Sequence, residues 1–72
     1  DVTRNVLAPM HGTIQLVSAK DGEKVIPGKS LIIIEAMKMQ HEVFATSSGI
    51  IKKVLIEKGT QVRLGDVLIE MT

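Results

Sequence analysis

The chain has no cysteine, tryptophan or tyrosine, and Phe44 is its only aromatic residue. Without cysteine, neither a disulfide nor a thiolate metal site can support the fold. A single aromatic side chain cannot form the stacking platform of a nucleic-acid binder, and the net charge of +1 provides no basic footprint for nucleic acid or an anionic membrane. No apolar run approaches the roughly 20 residues that a membrane-spanning helix needs. We therefore expect neither nucleic acid nor a membrane as a partner.

The length of 72 residues is enough for one domain, which we assign to residues 1–72. A domain of this size buries only a modest core and has no room for a deep catalytic cleft as well. A carrier, adaptor or binding module is therefore favoured over a complete enzyme. The chain begins with Asp1 rather than Met, so we expect it to be a piece of a longer protein. No signal peptide is visible, and nothing in the sequence suggests secretion.

The glycines reveal an internal repeat with a constant offset of 37 residues: Gly12, Gly22 and Gly28 recur as Gly49, Gly59 and Gly65. The apolar residues follow the same offset without a gap, and the matched pairs are Val6 and Val43, Ala8 and Ala45, Ile14 and Ile51, Val17 and Val54, Val25 and Val62, and Leu31-Ile32 and Leu68-Ile69. A fixed period of this kind indicates two copies of one structural unit.

Each copy is rich in β-branched residues, is punctuated by turn residues, and predicts four strands and no helix. The predicted strands cover about 3–8, a segment after Gly12, a short segment around Val25, and about 30–35, with counterparts at about 40–45, after Gly49, around Val62, and at about 67–71. The alternation of apolar and polar residues breaks at Ile51–Val54, which predicts a β-bulge there.

The predicted fold class is therefore all-β. We expect a flattened barrel or sandwich of two four-stranded halves related by a pseudo-two-fold axis, a barrel-sandwich hybrid. Each half would have one apolar face, and the two faces would bury each other. We therefore expect most of eight matched residues to be buried, namely Ile14 and Ile51, Val17 and Val54, Val25 and Val62, and Leu31 and Leu68.

One lysine falls where the pattern predicts the tip of a hairpin. The apolar run Leu31–Ile34 predicts a buried strand and His41–Ala45 predicts the returning strand, so Met37 and Lys38 lie at the turn between them. The offset of 37 maps Lys38 onto Asp1, which predicts that the hairpin and the chain termini occupy equivalent corners at opposite ends of the domain. A lysine at such a tip suits a side chain that another protein must find and modify.

The segment Glu35-Ala36-Met37-Lys38-Met39 resembles the attachment motif of biotinyl domains, also called biotin carboxyl carrier domains. The segment Ala8–Gly12 is also similar to the residues before the second strand of that family, and the resemblance covers about residues 6–71. It implies that Lys38 carries biotin through an amide bond. It also implies that Glu35, Ala36, Met37 and Met39 serve recognition by biotin protein ligase.

The same resemblance implies a non-catalytic carrier whose partners are biotin carboxylase and carboxyltransferase domains or subunits. The spacing from Gly12 to Gly22 equals that from Gly49 to Gly59, so the thumb insertion of bacterial acetyl-CoA carboxylase carriers is absent. The resemblance is thus to the C-terminal biotinyl domain of a larger acyl-CoA, pyruvate or urea carboxylase, or of a biotin-dependent decarboxylase. It implies a cytoplasmic protein, or a mitochondrial matrix protein in a eukaryote.

Two other functions share parts of this pattern. A lipoyl carrier domain of a 2-oxo acid dehydrogenase would have a similar fold and hairpin lysine, but such domains usually carry Asp before the lysine and Ala after it, where this chain has Met37 and Met39. An unmodified interaction module would leave the lysine free.

His11 and His41 have no clustered ligands at metal-binding spacing, and Glu35 has no paired acid or nucleophile, so we predict no metal site and no catalytic residue.

Overall fold

The computed structural model describes residues 5–72 of the chain, and all the regular structure in this range is β-strand. The strands are β1 Val6–Leu7, β2 Gly12–Val17, β3 Lys24–Val25, β4 Ser30–Ala36, β5 Met39–Phe44, β6 Gly49–Val54, β7 Gln61–Val62 and β8 Val67–Met71. Across residues 5–72, no helix could cross a membrane. The predicted all-β class is confirmed, although residues 3 and 4 of the first predicted strand lie outside the described range.

The eight strands form two antiparallel sheets, with strand orders β1-β8-β6-β3 and β5-β4-β2-β7. Exchanging each strand with the one four places along the chain converts the first order into the second, so the predicted pseudo-two-fold relation between two four-stranded halves is confirmed. Each sheet, however, takes two strands from each repeat. The expectation that each half would bring its own apolar face to the other was wrong, because β2 pairs with β7 and β3 pairs with β6. The two repeats interlock.

The glycine turns fasten one repeat to the other. The Gly28 N–H donates to the Ala45 carbonyl at 2.8 Å, and its counterpart Gly65 donates to the Ala8 carbonyl at 2.9 Å. Both glycines adopt positive φ, 91° and 89°, which side chains other than glycine rarely tolerate. The symmetry of the sequence is therefore repeated in the turn geometry and in the hydrogen bonds.

The interior strands β2 and β6 carry equivalent bulges. The register of β6 against β8 shifts between Ile51 and Lys53, which confirms the bulge predicted from the sequence. The register of β2 against β4 shifts at the matching place, between Ile14 and Leu16. In each case one extra residue is inserted, and a bulge of this kind can re-aim a side chain.

The core lies between the sheets, and most of its residues are matched by the repeat; the exceptions in the buried cluster are Ala19, Ile34 and Met71. Six of the eight residues that we expected to be buried are at most 4% exposed, namely Ile14, Ile51, Val25, Val62, Leu31 and Leu68. Val17 and Val54 are half-buried and pack against this cluster. Burying these side chains supplies the main favourable contribution to folding. The prediction that the matched residues are mostly buried is thus confirmed.

Candidate functional site

Lys38 lies at the tip of the hairpin formed by β4 and β5. The two strands are paired from Ser30 opposite Phe44 up to Ala36 opposite Met39, so that only Met37 and Lys38 connect them. Ala36 is buried at the base of the tip, at 8% exposed. The predicted hairpin lysine is therefore held by paired strands that are anchored in the core.

The turn at the tip has an unusual backbone conformation for its sequence. Met37 and Lys38 have φ angles of 52° and 66°, and positive φ at both central residues is the pattern of a type I′ turn. This turn matches the right-handed twist of the flanking strands, but it is normally built from Asn and Gly. Residues with a Cβ atom lose about 1–2 kcal/mol each in this conformation. The strands therefore impose a turn that this sequence would not adopt alone.

The methionines on either side of Lys38 are largely accessible to solvent. Met37 is 90% exposed and Met39 is 63% exposed, and Lys38 is exposed as well. Large apolar side chains at this level of exposure contribute little to the core. They form instead an apolar surface around the lysine that a partner protein could contact, which is compatible with the recognition role that the sequence resemblance implied.

Glu35 is held by a residue that the sequence analysis did not single out. The Gln15 Nε2 donates a hydrogen bond to the Glu35 Oε1 at 2.6 Å. Glu35 is exposed between the buried residues Ile34 and Ala36, so its carboxylate lies on the outer surface of the sheet. Gln15 is 20 residues away along the chain. The only indication of Gln15 in the sequence was indirect. Gln15 lies in β2, which the repeat matches to the segment Ile51–Val54, where we predicted a bulge.

The histidines do not join the lysine in a cluster of potential metal ligands. His41 lies on β5 opposite Ile34, and His11 is exposed just before β2. Within the described part of the chain, no group of three or more His, Cys, Asp or Glu could hold a metal ion. A shallow surface crevice of about 430 Å³ lies between β1 and β5, and Lys38 does not line it.

The comparison with known families bears directly on this lysine hairpin. A sequence profile of the family described as "Biotin-requiring enzyme" matches residues 4–71, nearly the whole chain. The chain belongs to this family. The resemblance to biotinyl domains of biotin-dependent carboxylases, first indicated by residues 35–39, is confirmed.

The relatives of this chain are much longer proteins. The chain is 41% identical over 66 residues to the biotin-dependent acyl-coenzyme A carboxylase alpha3 subunit of Mycobacterium leprae, and 38% identical over 71 residues to the human mitochondrial propionyl-CoA carboxylase alpha chain. These alignments cover 92% and 99% of this chain, but only 11% and 10% of the relatives. The chain therefore spans about a tenth of the proteins it resembles.

Solved structures of a carboxylase and of a lipoyl domain show the same barrel-sandwich fold. A single-chain, multi-domain long-chain acyl-CoA carboxylase superposes with a TM-score of 0.91 at 34% identity, covering 97% of this chain and 7% of that one. The lipoyl domain of the 2-oxoglutarate dehydrogenase complex of Azotobacter vinelandii superposes with a TM-score of 0.75 at 31% identity, covering 86% and 78%. The fold is therefore shared, and it does not by itself distinguish a biotin carrier from a lipoyl carrier.

Proposed function

We propose that this chain is a biotin carboxyl carrier domain and that Lys38 is the residue that carries biotin, through an amide bond. The observation that supports this most directly is the position of Lys38 at the exposed tip of the β4–β5 hairpin, inside the five-residue motif that resembles biotinyl attachment sites. An exposed primary amine on a rigid hairpin fits covalent attachment, since nothing needs to unfold for a modifying enzyme to reach it.

The contribution of the chain to its own modification is positional. The Lys38 amine would attack an activated biotin donor held by biotin protein ligase; the new C–N bond forms the amide, the donor's leaving group departs, and the amine loses a proton. We assign the base that accepts this proton to the ligase, because Met37 and Met39, the residues on either side of Lys38, are not bases.

The role of the modified domain is transport. Attached biotin would supply the chemistry of carrying activated carboxylate, while the protein provides binding and orientation. The hairpin holds the attachment point outside the body of the domain, so that the arm swings between a biotin carboxylase site and a carboxyltransferase site. The same proposal includes these partners and a longer carboxylase, to which residues 1–72 would belong as a C-terminal biotinyl domain. It also includes a cytoplasmic or mitochondrial location.

A lipoyl carrier is the second candidate, and the shared fold supports it. Met37 and Met39 favour biotin, because they replace the Asp and Ala that usually flank the lysine of lipoyl domains. Both side chains are exposed, at 90% and 63%, which supports a role in contacting the modifying enzyme.

The test is the intact mass of the purified domain after incubation with biotin protein ligase, biotin and ATP. We expect one biotin per chain, located on Lys38 by peptide mapping. The same measurement with a lipoate-attaching enzyme and lipoate provides the comparison. Lys38→Arg should remain unmodified, whereas the control Lys53→Arg should accept one biotin. Biotin on another lysine would overturn the assignment of Lys38, and efficient lipoylation without biotinylation would overturn the carrier identity.

A further inference from the structure

The two repeats differ at one hydrogen bond next to the hairpin. Gln15 lies at the bulge of β2, between Ile14 and Leu16, and donates to the Glu35 carboxylate at 2.6 Å. The offset of 37 maps Gln15 onto Lys52, at the bulge of β6, and Glu35 onto Thr72. At these matched positions, an amide–carboxylate hydrogen bond is therefore possible only in the repeat that leads into Lys38.

A feature that occurs in both repeats is explained by the shared fold. The hydrogen bond between Gln15 and Glu35 occurs in only one repeat and needs another explanation. The bulge itself occurs in both halves, so the backbone geometry does not require glutamine at this position. The end that carries Lys38 adds a pair of side chains, Gln15 and Glu35, on the outer surface of the sheet. Glu35 lies three residues before the lysine. The hydrogen bond is exposed, and cross-strand pairs of exposed side chains contribute only modestly to folding, which is compatible with a further role.

We propose that Gln15 is a positioning residue for modification of Lys38 and acts by orienting the Glu35 carboxylate. This inference rests on the proposed function, because it assigns Gln15 to the surface that biotin protein ligase contacts. A free glutamate side chain samples many rotamers, and ordering it on binding costs conformational entropy. The hydrogen bond from Gln15 holds the carboxylate in one arrangement before the ligase arrives.

The geometry also indicates what kind of group the carboxylate meets. An ionised carboxylate accepts hydrogen bonds at two oxygens with about four acceptor positions, so accepting one bond from Gln15 leaves capacity for further donors. A cationic or N–H donor on the ligase would find this carboxylate already oriented, three residues before Lys38 along the chain. The recognition surface would then extend from the hairpin across β4 onto β2.

The test is the steady-state rate of biotinylation as a function of domain concentration. Gln15→Glu is nearly isosteric but replaces the donor with a second carboxylate, and Gln15→Ala removes the side chain. For both we expect the KM for the domain to rise about three- to tenfold with kcat nearly unchanged, because a binding interaction is lost while the lysine is intact. Lys52→Ala, at the matching bulge of the other repeat, is the control and should behave like the wild type.

A double-mutant cycle separates positioning from a direct contact. If Gln15 acts through Glu35, Gln15→Ala should have no further effect on KM in a Glu35→Ala background. An equal effect in both backgrounds would overturn the positioning role, as would unchanged kinetics of Gln15→Glu and Gln15→Ala. A wild-type domain that accepts no biotin at all would instead overturn the proposed function, so the two failures are distinguishable. Thermal melting of each variant establishes that it is folded under the assay conditions.

Discussion

A Cβ atom on Gly12 would lie only 2.5 Å from the carbonyl oxygen of Glu35, so that only glycine allows β2 to pass this close to the end of β4. The same Cβ atom would lie 2.7 Å from the Cγ2 atom of Ile34, and 3.2 Å from the Cβ of Ala36. The approach takes place directly below the Lys38 hairpin. The position of the hairpin relative to the rest of the sheet therefore depends on the missing side chain at residue 12.

We predict that Gly12→Ala lowers the free energy of unfolding by about 1–3 kcal/mol, the usual cost of overpacking. The matched control is Gly49→Ala, where the added Cβ would lie 2.9 Å from the carbonyl oxygen of Thr72 and 3.2 Å from the flexible end of Met71. It should cost less, because its closest approach is longer than the 2.5 Å at Gly12 and because the end of a methionine side chain can move. Urea denaturation measures both values, and equal losses would show that the two corners are equally rigid.

Ile51 and its neighbour Ile50 provide a sharp comparison within one strand. Ile51 is fully buried at 0% exposure, whereas Ile50 is 48% exposed. Ile51→Ala should cost about 2–5 kcal/mol, since it removes buried methyl groups and leaves a cavity. Ile50→Ala should change stability by less than about 1 kcal/mol. Chemical denaturation measures the free energy of unfolding of both variants. Because Ile14 matches Ile51 in the repeat, Ile14→Ala should lower this free energy by a similar amount.

Lys38→Arg should leave thermal melting nearly unchanged, because an exposed residue at a turn contributes little to stability. Arginine keeps the positive charge but has no primary amine, so the variant should accept no biotin and should abolish carboxyl transfer in a parent carboxylase. Calorimetry and intact mass test the two halves of this prediction on the same sample. A clear drop in the melting temperature would indicate that Lys38 has a structural role in the hairpin.

The strained turn predicts a stabilising substitution. Met37 adopts a φ of 52° and is 90% exposed, so replacing it removes few contacts. Met37→Asn should raise the free energy of unfolding by about 0.5–1 kcal/mol, because asparagine tolerates positive φ better than methionine. Met39→Asn, in the extended part of β5, is the control and should not stabilise the domain. Thermal denaturation would contradict this account if both variants lost stability equally.

The two methionines should decide which enzyme modifies the lysine. The double substitution Met37→Asp and Met39→Ala introduces the residues that usually flank a lipoyl lysine on a hairpin of the same fold. We expect slower biotinylation and faster lipoylation, since both modifying enzymes must distinguish nearly identical hairpins by a few side chains. Rates with both enzymes, and circular dichroism to verify folding, provide the test. Biotinylation at the wild-type rate would mean that recognition lies elsewhere on the hairpin.

Much of this domain could be read from its sequence, because the relevant signals are local. The offset of 37 residues, the turn glycines and the apolar strands predicted the pseudo-two-fold fold, the matched core residues and the bulge at Ile51–Val54. The spacing of the strands around Met37 and Lys38 predicted the exposed hairpin. Its predicted counterpart at Asp1 lies outside residues 5–72, and the placement of the termini at the opposite end stays a prediction.

Only the tertiary structure decided how the strands are distributed between the sheets. The alternation of apolar and polar residues in a strand specifies which of its faces is buried, but not which strand it pairs with. Here β2 pairs with β7 of the other repeat. The same long-range packing brings Gln15 to Glu35 and Gly12 beneath the hairpin. It also forces positive φ on Met37 and Lys38, because two residues must join strands that are already paired at Ala36 and Met39. Local preference would have avoided that turn, and the energy of pairing and burial along β4 and β5 overrides it.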